Sequence, residues 1–187
     1  KKVKTEYRKA LLEVLPYAAF GTITDVAPLQ EENRVYVYYG LKELAKARTP
    51  GLMALLESAN LVDKKLTVRD VAFKMGPRIN AAGRMQNASL AFELLVADDL
   101  VSARKRAQDL DKENSDRQKL CQEIYEQARK YVKSRINLEE QIAIVVVGEG
   151  WHEGVIGIVA SRLVDEFKRP SVVIAISSDG VRGKGSA

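Results

Sequence analysis

The sequence predicts an α/β chain: a helical first part, a long connecting helix, and a βαβ unit at the end. Three observations carry that prediction. Residues 100–133 contain neither Gly nor Pro and repeat apolar or small residues at steps of three and four. QIAIVVVGEG and SVVIAIS are runs of β-branched residues, the pattern of buried parallel-type strands. Between them, GVIGIVASRLVDEFKRP places Ile156, Val159, Ala160, Leu163, Val164 and Phe167 on one helical face.

Each element follows in chain order. EYRKALLEVL reads as a helix that Pro16 should end. YAAFGTITDVAPL is small and β-branched, and is expected as a buried strand or a short buried turn into a loop. RVYVYYGLKELAKA suits a helix, because Leu41, Leu44 and Ala45 fall at helical spacing. Thr49-Pro50-Gly51 breaks the chain, and GLMALLESAN forms a short helix with Thr49 or Pro50 near its start. Thr67 and Asp70 give the T-x-x-D pattern of a capping box. GPRINAAGRM is expected as a stiff turn. SLAFELLVA is a helix, and Asp98-Asp99 open the long one. A helix of that length spans about 50 Å, which suits a link between two lobes. Its apolar stripe also passes through Asn114 and Arg117, with Gln118 beside them. Either the stripe turns to water there, or these side chains face a cleft between the lobes. Pro170 stops the last helix, completing a strand–turn–helix–strand unit.

Composition narrows the function classes. Of 187 residues, 46% are hydrophobic and 29% charged, ordinary for a globular protein. No apolar run reaches the roughly 18 residues of a membrane span. KKVKTEYRKA has no signal-peptide core, and one cysteine (Cys121) excludes an internal disulfide, so a cytoplasmic location is expected. One histidine and one cysteine also exclude a zinc site built from those residues alone. A metal site here must lean on carboxylates, the chemistry of Mg²⁺ or Mn²⁺, or on ligands outside this chain. A net charge of +5 favours a polyanionic partner. The chain opens as though in mid-helix and stops in a Gly-rich turn, so a fragment of a longer protein is expected.

Several motifs carry chemistry. GEGWHEGVIG joins a strand to a helix N-terminus, where free N–H groups favour an anion. Trp151 could stack on a base and His152 could donate to a phosphate. Equally, Trp151 could be core and His152 could cap the turn. Arg162 either is surface charge or reaches toward a ligand. Lys184 and Ser186 fall on a Gly-rich stretch, expected as a flexible loop at the strand ends, where open α/β sheets bind ligands. In GPRINAAGRM, Arg78 and Arg84 flank a small-residue interior with Asn80 between them. The guanidiniums suit phosphate, or Arg78 pairs with a carboxylate and the glycines end a helix. Asp25 in GTITDV sits among small and β-branched residues, where burial would require a partner or a metal. A capping role is the alternative.

Taken in order, GTITDVAPL, GPRINAAGR, the N-x-x-R-Q of Asn114, Arg117 and Gln118, GWHEGVIGIVASR and KGS resemble the RecJ family of single-strand-specific DNA exonucleases, in the DHH phosphoesterase superfamily. The resemblance implies residues 1–98 as the later part of a DHH catalytic domain, 99–135 as the connecting helix, and 136–187 as the start of a DHH-associated domain. It implies 5′-to-3′ hydrolysis of single-stranded DNA in recombination and repair, with two Mn²⁺ or Mg²⁺ ions. It matches Asp25 to a metal-binding aspartate, and Arg84, Gln118 and Arg162 to contacts with the DNA backbone. Ser186 matches the start of a motif that grips the 5′ phosphate. Arg78, Asn80, Asn114 and His152 belong to the same motifs. A single-strand-binding protein and a helicase are the further partners it suggests. The Asp-His-His motif and an arginine after Ala187 are missing, so this chain alone is expected to be inactive. The alternatives are an oligoribonuclease or cyclic-dinucleotide phosphodiesterase of the same superfamily, or a non-catalytic DNA-binding scaffold.

Overall fold

The computed structural model describes residues 4–85, 87–177 and 180–187. They form two compact units, divided after Asn114. The division falls inside one long helix.

The first unit is helical. α1 (Thr5–Thr24) and α2 (Glu31–Leu44) pack closely at Gly40, where an added β-carbon would stand 2.3 Å from Ala19 Cβ. Pro16 lies inside α1 and does not end it. The TITDV stretch is therefore helical up to Thr24, not strand or loop. Eight residues follow Pro16 before the C-cap, and Ala19, Phe20 and Ile23 are buried. That apolar face outweighs the one hydrogen bond a proline removes. α3 (Pro50–Ser58) starts with Pro50 in its first turn, as expected. Gly51 lets it approach α6 (Ala88–Leu95): a β-carbon there would stand 2.1 Å from the Leu94 carbonyl oxygen.

Thr67 and Asp70 close the expected capping box at α4 (Val68–Asp70). The helix then runs through a π-helical segment, Val71–Met75, into α5 (Gly76–Arg84). GPRINAAGRM is thus mostly helix rather than a turn. Pro77 stands in its first turn, directly after the π-helical segment, and Ala81 and Ala82 are buried. Leu44, Leu52, Leu55, Leu61, Met75 and Leu94 fill the core of this unit. Asp99 opens α7 (Leu100–Arg135), its carboxylate accepting from the Ser102 amide at 2.8 Å.

The second unit holds the rest of α7, β1 (Ile144–Glu149), α8 (Ile156–Phe167), β2 (Ser171–Ile176) and β3 (Gly183–Ser186). The sheet order is β1-β2-β3. β1 and β2 are parallel, with Val146 opposite Val173, so the βαβ unit forms. β3 runs antiparallel to β2, with Ser186 opposite Val173 and Lys184 opposite Ala175. The expected flexible loop is therefore a paired edge strand. Ile144, Val146, Val173 and Ala175 are buried with Ile124, Ala128 and Val132 of α7 and the inner face of α8. The opposite face is open: Val145 and Val147 are half exposed. The strands are covered on one face only, not on both as the continuous Val/Ile runs predict.

Candidate functional site

Sequence-predicted residues come together in two places, one in each unit. The first is the end of α1. Asp25 is its C-cap, and its amide donates to the Gly21 carbonyl at 2.9 Å. Its carboxylate is exposed and has no hydrogen bond or ion pair among the described residues. Asp25 therefore is not a buried acid: it takes the capping position expected as the alternative, with its carboxylate exposed.

The turn after it is unusual. Val26 donates to Ile23 at 3.1 Å and Ala27 to Thr22 at 3.1 Å, the paired bonds of a Schellman cap. Its left-handed position, normally glycine, is filled by Val26 at φ 56°. A β-branched residue there is strained, at a cost of roughly 1–2 kcal/mol. Val26 is also 85% exposed, so its side chain gains little in return. Such strain clusters at functional sites.

α5 rests on this turn. Asn80 Nδ2 donates to the Thr24 carbonyl at 3.3 Å. One turn earlier, a β-carbon on Gly76 would stand 2.9 Å from Thr24 Cγ2. Residues four apart share a helix face, so Arg84 continues the line from Gly76 through Asn80. Arg84 is exposed on the last turn of α5, and the space at neighbouring Gly83 is open. Asp25, Asn80 and Arg84 thus sit on adjoining elements, with Asn80 as the clamp.

Arg78 points elsewhere. Its Nη2 lies 2.9 Å from Asp111 Oδ1 and donates to the Ser58 carbonyl at 3.1 Å, and its Nη1 donates to the Lys74 carbonyl. Its side chain is 17% exposed. It bridges α3, α5 and the first part of α7. Asn114 is buried, so the apolar stripe of α7 does not turn to water there.

The second place lies between the end of α7 and α8. Arg117, Gln118, Cys121, Gln122, Ile158 and Arg162 line a shallow cleft of about 260 Å³. Arg162 Nη2 donates to Gln122 Oε1 at 2.9 Å, and its guanidinium carbon lies 3.7 Å from the centre of the Tyr125 ring. Glu166 accepts from Tyr125 Oη and from Arg129 Nε. The Tyr125 hydroxyl bond, then Arg129, hold Glu166 below the usual carboxylate range. Tyr125 is correspondingly pushed up, chiefly because it donates to Glu166. Sequence reasoning found Gln118 and Arg162 but missed Tyr125, Gln122 and Glu166. The signal was the four-residue spacing of Tyr125 with Arg129 and of Arg162 with Glu166. Pairing the two helices needs the fold.

The remaining predicted residues are accounted for at the other end of α8. Ser186 Oγ lies so near the helix start that a β-carbon on Gly157 would stand 2.9 Å from it. Lys184, on the same face of β3, pairs with Glu153 at 3.2 Å. The start of a helix offers free N–H groups, so a hydroxyl there completes a set of anion donors. His152 takes the capping role: Nδ1 accepts from the Gly154 amide at 3.1 Å. Trp151 packs on the Gly148 backbone and donates to Gln127 Oε1 at 2.9 Å, so it is a structural group rather than a base platform.

Among the described residues, no group of three or more His, Cys, Asp or Glu side chains could hold a metal ion, and no helix is long and apolar enough to cross a membrane. Asp25 fits as a single ligand. A two-ion centre would draw its other ligands from outside the described residues.

A helical unit and a small mixed-sheet unit carrying these side chains are similar, along nearly the whole chain, to a segment of proteins described as single-stranded-DNA-specific exonucleases. The particular similarity is to RecJ. RecJ of Bacillus subtilis is 39% identical over 175 residues, which is 94% of this chain and 22% of that protein. The crystal structure of Thermus thermophilus RecJ with Mg²⁺ superposes with a TM-score of 0.76 at 36% identity, over 89% of this chain and 25% of that one. A crystal structure of exonuclease RecJ bound to manganese matches with a TM-score of 0.76 at 36% identity, over 89% of this chain and 41% of that one. The chain therefore spans less than half the length of each. No protein-family model matches it.

Proposed function

We propose that this chain is the middle segment of a RecJ-type exonuclease that degrades single-stranded DNA from the 5′ end in recombination and repair. The observation that carries the reading is the grouping of the motif side chains. The exposed carboxylate of Asp25 follows Thr24, whose carbonyl Asn80 binds from the helix that ends in Arg84, and a cationic cleft holds Gln118 and Arg162. In this reading residues 1–98 close the catalytic domain, 99–135 connect, and 136–187 begin the associated domain.

A bound pair of Mn²⁺ or Mg²⁺ ions supplies water activation and stabilises charge on the phosphodiester oxygens. Asp25 contributes one carboxylate to that pair. Asn80 fixes the turn that carries Asp25 through the Thr24 carbonyl. Arg84 and Arg162 bind backbone phosphates and so position the strand without reading its bases. Gln118 adds a neutral amide on the same cleft as Arg162. Ser186 and the amides at the start of α8 take the 5′ phosphate. Asn114 and His152 support the strand path through the shape of α7 and of the α8 turn, and Arg78 supports Arg84 by anchoring α5. The same reading takes the protein to act in the cytoplasm, with a single-strand-binding protein and a helicase as partners.

The test uses the whole protein with Mn²⁺ and 5′-labelled single-stranded DNA. Wild type should release labelled mononucleotide, and Asp25→Ala should slow release by about a hundredfold or more. A wild type that leaves the strand intact overturns the proposal. Equal rates for the two proteins remove Asp25 from the metal site.

A further inference from the structure

Arg162 and Glu166 are four residues apart on α8, a spacing at which arginine and glutamate ordinarily pair. They do not pair here. Glu166 accepts from Arg129 Nε at 2.7 and 3.0 Å and from the Tyr125 hydroxyl, and Lys133 Nζ lies 3.5 Å away. Arg162 instead lies over the Tyr125 ring and donates to Gln122. Both of its partners are uncharged. Among the described residues no carboxylate forms an ion pair with it.

Two neutral partners orient a guanidinium without spending its charge. An aromatic face attracts it through the ring quadrupole, and an amide oxygen fixes one of its five N–H donors. The remaining donors stay available in the Gln118–Arg162 cleft. A paired Glu166 would cancel the charge and take the fork that a phosphate needs.

We propose that Tyr125 is a positioning residue for Arg162. Its ring shelves the guanidinium, and its hydroxyl, together with Arg129, keeps Glu166 away, so that Arg162 meets a backbone phosphodiester with its charge uncompensated. The inference rests on the reading of Arg162 as a phosphate contact. Tyr125 stays protonated at neutral pH because it donates to a carboxylate, so the hydroxyl remains a donor throughout the working range.

The experiment measures binding of the whole protein, held in EDTA so that the strand stays intact, to a short 5′-fluorescein oligothymidylate at low salt, by anisotropy, with circular dichroism on every variant. Arg162→Ala and Tyr125→Leu should each weaken binding about tenfold. Adding Glu166→Gln to Tyr125→Leu should restore binding to within about threefold of wild type, because the competing carboxylate is gone. A merely structural role for Tyr125 gives no such rescue. If Tyr125→Leu fails to fold, Tyr125→Phe combined with Arg129→Met releases Glu166 with the ring in place. It should weaken binding about tenfold and be restored by the same Glu166→Gln change. Wild-type affinity in Arg162→Ala overturns the reading of Arg162, and the positioning with it. Weak binding in Arg162→Ala with wild-type affinity in Tyr125→Leu, or with no rescue by Glu166→Gln, overturns the positioning of Arg162 by Tyr125 alone.

Discussion

Arg78 and Arg84 stand six residues apart in one motif and do different work. Arg78 is an interior strut. It reaches Asp111 at 2.9 Å and the Ser58 carbonyl at 3.1 Å with little of its side chain exposed. Arg78→Ala removes those bonds. It should cost about 1–3 kcal/mol in a urea titration, the loss of a largely buried guanidinium's hydrogen bonds. Arg84 is exposed at the end of the same helix. Arg84→Ala should leave the urea midpoint within about 0.5 kcal/mol of wild type yet weaken single-strand binding at low salt. The sequence shows both arginines and nothing that separates them, because that difference is set by what lies 20 and 33 residues away in the chain.

Among the elements, the end of α1 is the one to test. Val26 occupies a left-handed position inside a Schellman cap and is almost fully exposed. Val26→Gly should therefore stabilise the chain by about 1 kcal/mol, read as a rise in thermal midpoint. Unchanged or lower stability would mean that the cap carries no strain. The α4 capping box gives a pH signature. Hydrogen bonds from Lys74, then from Thr67, hold Asp70 at about 2, well below the usual carboxylate value. Its folded pKa is depressed, so its stabilisation is complete above the unfolded value of about 3.9 and is lost as pH falls through about 2. The difference in thermal midpoint between wild type and Asp70→Asn should be constant above that window and shrink within it. The capping box was legible because its four residues are local. Pro16 misled because a proline signals a helix break only when nothing buries the next turn.

For the whole chain, the +5 net charge and the proposed phosphate contacts at Arg84 and Arg162 predict salt-dependent binding to single strands. Each phosphate contact removed should reduce the slope of log K against log salt by about 0.7, so Arg84→Ala and Arg162→Ala together should reduce it by about 1.4. An unchanged slope would place the phosphate contacts elsewhere. The sequence by itself determined what depends on near neighbours: the helix over 100–133, the α4 capping box, the β-branched strands and their order in a βαβ unit. Its long motifs also carried the resemblance to RecJ. Tertiary structure decided which side chains meet: that Asp25 is free and not buried, that Asn80 clamps its turn, and that KGS pairs as an edge strand. It also decided that Tyr125 intercepts Glu166 before Arg162 can. The physical reason is range. Hydrogen bonds and apolar periodicity within a helix or strand are written over a few residues. The partner of an exposed charge is chosen by packing between elements 40 residues apart, as Gln122 and Arg162 are.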